Sequence, residues 1–584
     1  MADMSEDLYQ LDGLATSLAV SLGELLGEQA ASASGLAVGE LTPASRREHG
    51  DITTNAAMVS AKRAGRPPRE LAQELGERWL AGPGRTMCER FEVAGPGFLN
   101  LFLADAWYHG ALQRQLSLGA DHGRGCLAQG LRRKMNVEFV SVNPTGPLHV
   151  GHARYASYGD ALCRILDFIG HDVTREFYIN DYGTQMLRFA QSLTARYGQR
   201  LGLGTPLPED GYQGEYLLEL ADRLIGEVGE RYRAALADAG DDVTSVSPDV
   251  IAAIKIWGRD AILDMFRGTL NGLRVSFDVW TRESALYGGE GEHRGFHGEV
   301  GKALADLDGE GLLYEEEGAV WLRTTDYGDD KDRVLIRSSG EPTYFLSDIA
   351  YHRDKMDRGF AHMIDIWGAD HHGYVPRMKA AFTALPPHDP DRLELVIGQL
   401  VSLVESGETR RMSKRRGDIV TVDDLVEAIG VDAARFLLVG RSHDTTLELD
   451  IDLAVQHSSQ NPVYYVQYAH ARICSILRNV GEAGVSADSG VSPDVVVDQY
   501  ERGLIRTLAL WPQVLRSAAD QRAPHRVHVY LGELAAEFHV FYKHCRVLGD
   551  DVAVSRFRAG LCSVTRATLA TGLGLLGVEA PEQM

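Results

Sequence analysis

The sequence predicts an α/β chain of several domains. A central domain on a parallel sheet carries an insertion, with an N-terminal α+β domain before it and an all-helical domain after it. Three observations support this. The run MNVEFVSVN is rich in Val and Phe and is bounded by Asn143-Pro144, as a buried strand would be. After Pro147 the period changes: Tyr158, Leu162, Ile165, Leu166 and Ile169 share one helical face and Gly170 closes the helix. From about residue 456 onward, apolar positions recur at helical spacing with few strand signals. Strand, Gly/Pro turn and helix together open a nucleotide-binding βα unit.

The elements follow in chain order. The first hundred residues read as helices, as in LYQLDGLATSLAVSLGELL, and end in a strand-like piece, FEVAGPGFLNLFLAD, punctuated by Gly95-Pro96-Gly97. The basic cluster Arg132-Arg133-Lys134 precedes the first buried strand. From about 186 to 335 the chain is acidic and Gly-rich with helical stretches, and it separates the first βα unit from the strand candidates VLIRSS and MIDIWGADHH. The simplest reading is an insertion in a split α/β domain. The expected boundaries are 1–115, 116–455 with the insertion at about 186–335, and 456–584.

Length and composition narrow the class. At roughly 150 residues per domain, 584 residues suggest three to four domains. Hydrophobic residues at 44% and charged residues at 24% exclude disordered and fibrous classes. No apolar run reaches the ~18–20 residues of a spanning helix, and MADMSEDLYQ lacks the basic and apolar regions of a signal peptide. The six cysteines are scattered without a CxxC pair, which argues against a zinc ribbon, a redox motif or a disulfide framework. A reduced, cytoplasmic enzyme is expected. The net charge of −23 is uneven: residues 455–584 hold 12 basic and 12 acidic side chains, so the excess acid precedes them. A local basic face can therefore still bind phosphates.

Two motifs carry chemistry. In Asn143-Pro144-Thr145-Gly146-Pro147-Leu148-His149-Val150-Gly151-His152, two imidazoles three apart flank a glycine at a helix start. The helix N-terminus offers unpaired N–H groups and partial positive charge to phosphates. His149 and His152 share the first turn, where they can donate to phosphate oxygens, and Gly151 leaves room for a base or ribose. A bare HxxH would equally suit two surface histidines or a metal pair; the preceding strand and turn favour the phosphate role. The second motif is Arg411-Met412-Ser413-Lys414-Arg415, with Arg416-Gly417 after it. Such a run is often only a solvated face. If it moves onto a triphosphate, Lys414 neutralises charge that grows on a departing pyrophosphate, and a contact that strengthens in the transition state accelerates the step.

HVGH and RMSKR resemble the HIGH and KMSKS signatures of class I aminoacyl-tRNA synthetases. The longer strings VEFVSVNPTGPLHVGH, NDYGTQ, YFLSDIAYH, WGADHHGY, VDAARF and NPVYYVQYAHARI resemble the arginyl-tRNA synthetase family, and the likeness runs from about residue 92 into the C-terminal region. It implies a Rossmann-like catalytic domain. Its substrates would be ATP with Mg²⁺, L-arginine and tRNA(Arg), its anticodon-binding domain C-terminal, and the chain a monomer. Where the family's loop has its first lysine, this chain has Arg411. Charge is kept, but a guanidinium fork does not reproduce an ammonium, so the main loop role falls to Lys414.

The resemblance also implies site residues. His149, His152 and Lys414 would be catalytic, and Pro144, Gly151, Arg411, Met412 and Ser413 would join them around ATP. Glu138 sits in an otherwise apolar strand, where an unpaired carboxylate is costly, and a bound guanidinium would satisfy it. Asp348, four residues after Tyr344, occupies the family's guanidinium-gripping position and can bind bidentately. Ser141 and Asn143 fall where relatives hold the α-groups, and His149, Gln185 and His371 line the same side. Glu138 could instead face solvent, and Asp348 could cap a helix. Asp370-His371-His372 invites a metal reading, but no spacing demands three fixed ligands, and no protein-ligated metal is expected. Mg²⁺ on ATP keeps waters and few protein ligands.

In the C-terminal helices, Tyr464, Tyr465 and Tyr468 with Arg472 could stack on bases and pair phosphates; their spacing is also that of a core seam. The first ~110 residues resemble the domain that relatives use on the outer corner of tRNA. Gly572-Leu573-Gly574-Leu575-Leu576-Gly577 fits GxGxxG but lies too near the end for a βαβ unit, and no P-loop string exists. The implied chemistry is attack of the arginine carboxylate on the ATP α-phosphate, then of a terminal ribose 2′-OH on the adenylate. The resemblance further implies that arginine activation needs bound tRNA. A small-molecule nucleotidylyltransferase and a non-catalytic RNA-binding relative are the alternatives. The large flanking domains argue against the first, and retention of both histidines and Lys414 argues against the second.

Overall fold

The structure, a computed structural model, describes residues 8–27, 41–44, 49–288, 290–291, 294–410, 420–487 and 490–584. The segment Arg411–Lys414, with the rest of 411–419, lies outside the described residues.

At the centre is a five-stranded sheet, parallel throughout. Its spatial order is Leu393–Gly398, His362–Gly368, Lys134–Glu138, Asp172–Ile179, Val279–Arg282. The first strand in sequence is therefore the middle strand in space. The chain winds outward to one side and then to the other, so a crevice opens at the carboxyl ends of the first and fourth strands, where α/β sheets bind ligands. The first strand leaves the sheet at Glu138, earlier than the apolar run suggests. Val140 (φ 71°) and Ser141 (φ 20°) turn the chain there through the left-handed region, a cost of order 1–3 kcal/mol that sites tolerate when packing over-determines them.

The helix Val150–Ile169 returns across the sheet. Tyr158, Leu162, Ile165, Leu166 and Ile169 are all buried, as its period predicts, and Gly170 ends it at φ 117°. Helices Thr184–Arg200, Tyr216–Val228 and Pro248–Gly272 follow. The expected insertion at 186–335 is not one piece, because Val279–Arg282 in its midst is the edge strand of the main sheet. Three half-buried residues and an exposed arginine give too short a pattern to read as a strand. The strand candidate VLIRSS (334–339) is a strand only at Arg333–Ile336 and belongs elsewhere, in a separate three-stranded antiparallel sheet with Leu313–Glu316 and Ala319–Leu322. The helix Tyr344–Asp357 then leads back to the fourth strand.

In the N-terminal region, a four-stranded antiparallel sheet ends in the hairpin Cys88–Ala94 and Phe98–Leu103; helix Pro68–Ala81 packs on it, and helix Leu11–Leu25 packs on Pro68–Ala81. The C-terminal region is a bundle of Pro462–Glu482, Gln499–Ala509, Trp511–Asp520, His525–His544 and Val552–Leu575. The two ends of the chain meet: Arg506 pairs with Asp51 at 2.7 Å, Arg516 with Asp12 at 2.6 Å, and His109 Nε2 lies 2.8 Å from the Val495 carbonyl. Among the described residues no helix is long and apolar enough to cross a membrane.

Candidate active site

The signature turn begins where the first strand stops. Leu148 and Val150 are buried and anchor it from below. His149 is the N-cap: its Nδ1 accepts from the Gly151 N–H at 3.1 Å, while His152 Nδ1 accepts from the His149 N–H at 3.2 Å. This is a capping box with two imidazoles in place of a hydroxyl and a carboxylate. The geometry sets the tautomers. With both Nδ1 atoms accepting, the neutral rings carry their protons on Nε2. The rings stack at 3.7 Å between centroids. A Cβ on Gly151 would sit 2.9 Å from the His149 ring, so the room this glycine leaves is taken up by that imidazole.

The same turn is stitched to the chain that emerges from the Arg411–Lys414 segment. Val150 N–H donates to the Val420 carbonyl at 3.1 Å, Val422 N–H donates to Leu148 at 3.0 Å, and His149 bridges Thr421. Thr421 caps the next helix through Asp424.

Beside the turn, Asn143 Nδ2 donates to Gln185 Oε1 at 2.5 Å, and Ser141 Oγ accepts from the Tyr178 N–H at 3.0 Å. Three residues expected around the α-groups of arginine are thus gathered at one strand end. Gln185 sits in the first turn of the helix Thr184–Arg200, whose N-cap Gly183 has φ 87° and where a Cβ would stand 2.4 Å from the Tyr344 hydroxyl. Only glycine fits both that backbone and that neighbour. Tyr344, half exposed, therefore reaches across from its own helix to this turn.

Asp348 lies on the next turn of the Tyr344 helix, inside it rather than at its cap. Its Oδ2 accepts from the Tyr374 hydroxyl at 2.6 Å. Burial lifts its carboxyl to about 6, with the Tyr374 hydrogen bond working against the rise. His371 is exposed, 3.6 Å from Asp370, and its ring lies 5.9 Å from that of Trp367. His372 is also exposed. Among the described residues no group of three or more potential metal ligands gathers.

Glu138 takes a partner the sequence did not suggest. Its Oε2 accepts from Lys355 Nζ at 2.6 Å in the interior. Glu138 is expected from the sequence to be satisfied by a bound guanidinium; instead Lys355, seven residues beyond Asp348, already satisfies it. Burial raises the Glu138 carboxyl and that ammonium opposes the rise.

A second carboxylate escaped the sequence reading. Glu283 is 1% exposed, and among the described residues neither of its oxygens has a hydrogen-bond partner. Burial pushes its carboxyl up to about 7; nearby Ser347 tempers this, and the carboxylates Asp348 and Asp181 add to it. Asp181 itself is satisfied by Arg259 at 3.1 Å and by Ser284. Tyr287, stacked on Tyr182 at 4.5 Å, meets Ser347 Oγ at 2.5 Å. Two carboxyls of raised pKa, the half-buried Asp348 and the buried Glu283, thus lie near one another, with the rings of Tyr374 and Tyr287 close by. Such a pair suits a cation with several donors.

In the C-terminal bundle, Tyr464 and Tyr468 are half-buried with rings parallel at 6.0 Å, and the Arg472 guanidinium lies 4.7 Å from the Tyr468 ring centroid. They form a surface row rather than a sealed core seam.

A parallel sheet with its first strand central, and a helix start bearing two capping imidazoles at the crevice, define a class I tRNA synthetase catalytic domain. Accordingly, residues 117–475 match the catalytic-domain model for class I tRNA synthetases (R). Residues 15–103 match the arginyl-tRNA synthetase N-terminal domain and residues 466–584 the DALR anticodon-binding domain. The arginine–tRNA ligase of Bacillus subtilis is 43% identical over 92% of this chain and 93% of its own length. That of Desulforudis audaxviator is 46% identical over 94% and 95%. The solved arginyl-tRNA synthetase of Thermus thermophilus aligns with a TM-score of 0.72 at 25% identity, covering 98% of this chain and all of its own. The chain belongs to the arginyl-tRNA synthetase family.

Proposed function

We propose that the carboxyl edge of the parallel sheet is where this chain, an ATP-dependent arginine–tRNA ligase, activates L-arginine and passes it to the 3′-terminal ribose of tRNA(Arg). ATP enters as its Mg²⁺ complex. Its phosphates meet the first turn of Val150–Ile169, where helix N–H groups and the Nε2–H donors of His149 and His152 face growing negative charge. The observation that carries this reading is the backbone pairing of Leu148 and Val150 with Val420 and Val422. Lys414 is six residues upstream of Val420, so the cationic segment is tethered to the imidazole turn and both can serve one triphosphate. Arg411, Met412 and Ser413 travel with it.

Arginine lies with its guanidinium between Asp348 and Glu283, Tyr344 alongside, and its α-groups near Ser141, Asn143 and Gln185. The fork of five donors can meet both carboxylates at once. Its carboxylate then attacks the α-phosphate, expelling pyrophosphate and forming the adenylate. The tRNA ribose hydroxyl attacks the adenylate carbonyl and AMP leaves. No protein nucleophile is needed, so positioning and electrostatics supply the acceleration. Tyr464, Tyr468 and Arg472 offer bases a stacking row.

Pyrophosphate exchange into ATP, measured with each amino acid and with or without tRNA, tests the reading. Exchange confined to arginine is the expected outcome, and dependence on tRNA supports coupling between the ends of the molecule. Exchange with another amino acid, or none at all, overturns it.

A further inference from the structure

Three carboxylates stand side by side across the middle of the sheet. Strand register places Asp365 opposite Glu138, and Glu138 opposite Glu176. All three are buried. Like charges at neighbouring register positions repel, and burial makes the row untenable without cations.

The cations come from one helix. His352 Nε2 lies 2.7 Å from Asp365; Lys355 Nζ lies 2.8 Å from Asp365 and 2.6 Å from Glu138; the Arg358 guanidinium lies 2.9 Å from Glu176. Asn136 and Thr281 complete the shell of Glu176. Asp348 begins this face of the helix, with His352 four and Lys355 seven residues on. His352 Nδ1 donates to the Asp348 carbonyl at 2.7 Å, so the ring donates at both nitrogens and is an imidazolium. The turn bearing the Asp348 carboxylate is thereby pinned to the sheet through a buried ionic layer.

We propose that Lys355 is a positioning residue for arginine recognition: its ammonium clamps the Tyr344–Asp357 helix to Glu138 and Asp365, and so sets where the Asp348 carboxylate meets the substrate guanidinium. The inference rests on the assignment of Asp348 to the guanidinium. Lys355 is itself fully buried, with its Nζ 4.4 Å from the Tyr351 ring centroid, and does not contact substrate.

The test is steady-state aminoacylation by the full chain with tRNA, comparing Lys355→Met, Lys355→Arg, His352→Gln and the control Asp348→Asn. Lys355→Met should raise the KM for arginine about tenfold or more while the KM for ATP and kcat stay within about threefold. Lys355→Arg should recover part of the loss. The acid limb of kcat/KM for arginine should move to higher pH in Lys355→Met, because Glu138 and Asp365 lose a counter-charge that His352, Arg358 and Tyr351 do not replace. Parallel losses in every constant, or an unchanged arginine KM, would overturn the proposal. If Lys355→Met does not fold, His352→Gln decides: a selective rise in arginine KM supports the clamp, and no rise refutes it. An Asp348→Asn variant with normal arginine KM would sink the Asp348 assignment instead.

Discussion

Replacing Glu283 by Gln should make the protein more stable and the enzyme worse. The carboxyl is lifted from 4.5 to about 7 by burial, with Ser347 working against the rise and no cation paired to it among the described residues. Its folded form therefore holds a proton more tightly than its unfolded form. Stability from this group is lost as pH rises from about 4.5 to about 7, and stays lost above that. Each tenfold change in proton affinity is worth about 1.4 kcal/mol, so the ionised group destabilises the free enzyme by about 3 kcal/mol at pH 8. Glu283→Gln removes that penalty. On the proposed placement of arginine it would also remove a charge-assisted hydrogen bond to the guanidinium, worth ~2–3 kcal/mol, and raise the KM for arginine roughly 30- to 150-fold. Thermal melts at pH 5 and pH 8, with and without arginine, measure the first effect, and aminoacylation kinetics measure the second. The variant should gain stability at pH 8, gain little at pH 5, and respond less to arginine. A variant that melts earlier at pH 8, or one that keeps its arginine KM, refutes the reasoning.

Other perturbations separate the parts of the site. His149→Ala and His152→Ala should each slow adenylate formation by about 10²–10³ in single-turnover assays while arginine KM changes less than about threefold. Gly183→Ala forces an L-residue to φ 87° and a methyl to 2.4 Å from the Tyr344 hydroxyl; arginine KM should rise about fivefold or more with ATP KM unchanged. His528, against Phe436 at 4.2 Å, is lowered to about 4 by burial, with His525 and Arg441 adding to it. Its contribution to stability is complete above pH 6.5 and is lost as pH falls toward 4, about 3 kcal/mol in all. His528→Gln should flatten the fall of Tm between pH 6.5 and 4.5, and an unchanged slope would assign acid lability elsewhere.

What the sequence disclosed was local. The turn, cap and helix start of the Asn143–His152 string are legible because they lie within ten residues, each with its own residue signal, whereas the strand before it ends at Glu138, short of its apolar run. Gly170 and the buried stripe of Val150–Ile169 are equally legible, since one period specifies both. Glu283 left no such trace: it is one carboxylate among many in an acidic stretch, and its meaning lies in burial beside Asp348, more than sixty residues away. Val279–Arg282 was lost for the same reason, because pairing with Glu176–Ile179 makes it a strand and its four residues do not. Lys355 carries no local signal of its own in the sequence. Only the register of three strands shows that a cation is required there.

The interior sorts its charges by use. Asp365, held near 2 where its own burial is outweighed by Lys355 and His352, is an ionised structural group, as is Glu176 against Lys355 and Arg358. Asp181 has Arg259. Asp348 and Glu283 are treated differently: no cation within the described structure pairs with either, and both sit well above the ordinary carboxylate range. A folded chain keeps such a liability where binding offsets it. The offset also selects. On the proposed placement of arginine, a neutral amino acid would leave both acids without a cation, and a lysine ammonium, a compact and strongly hydrated charge, would not span both. On that proposal the planar fork of arginine would meet both, and discrimination would come from the pairing that the free enzyme lacks.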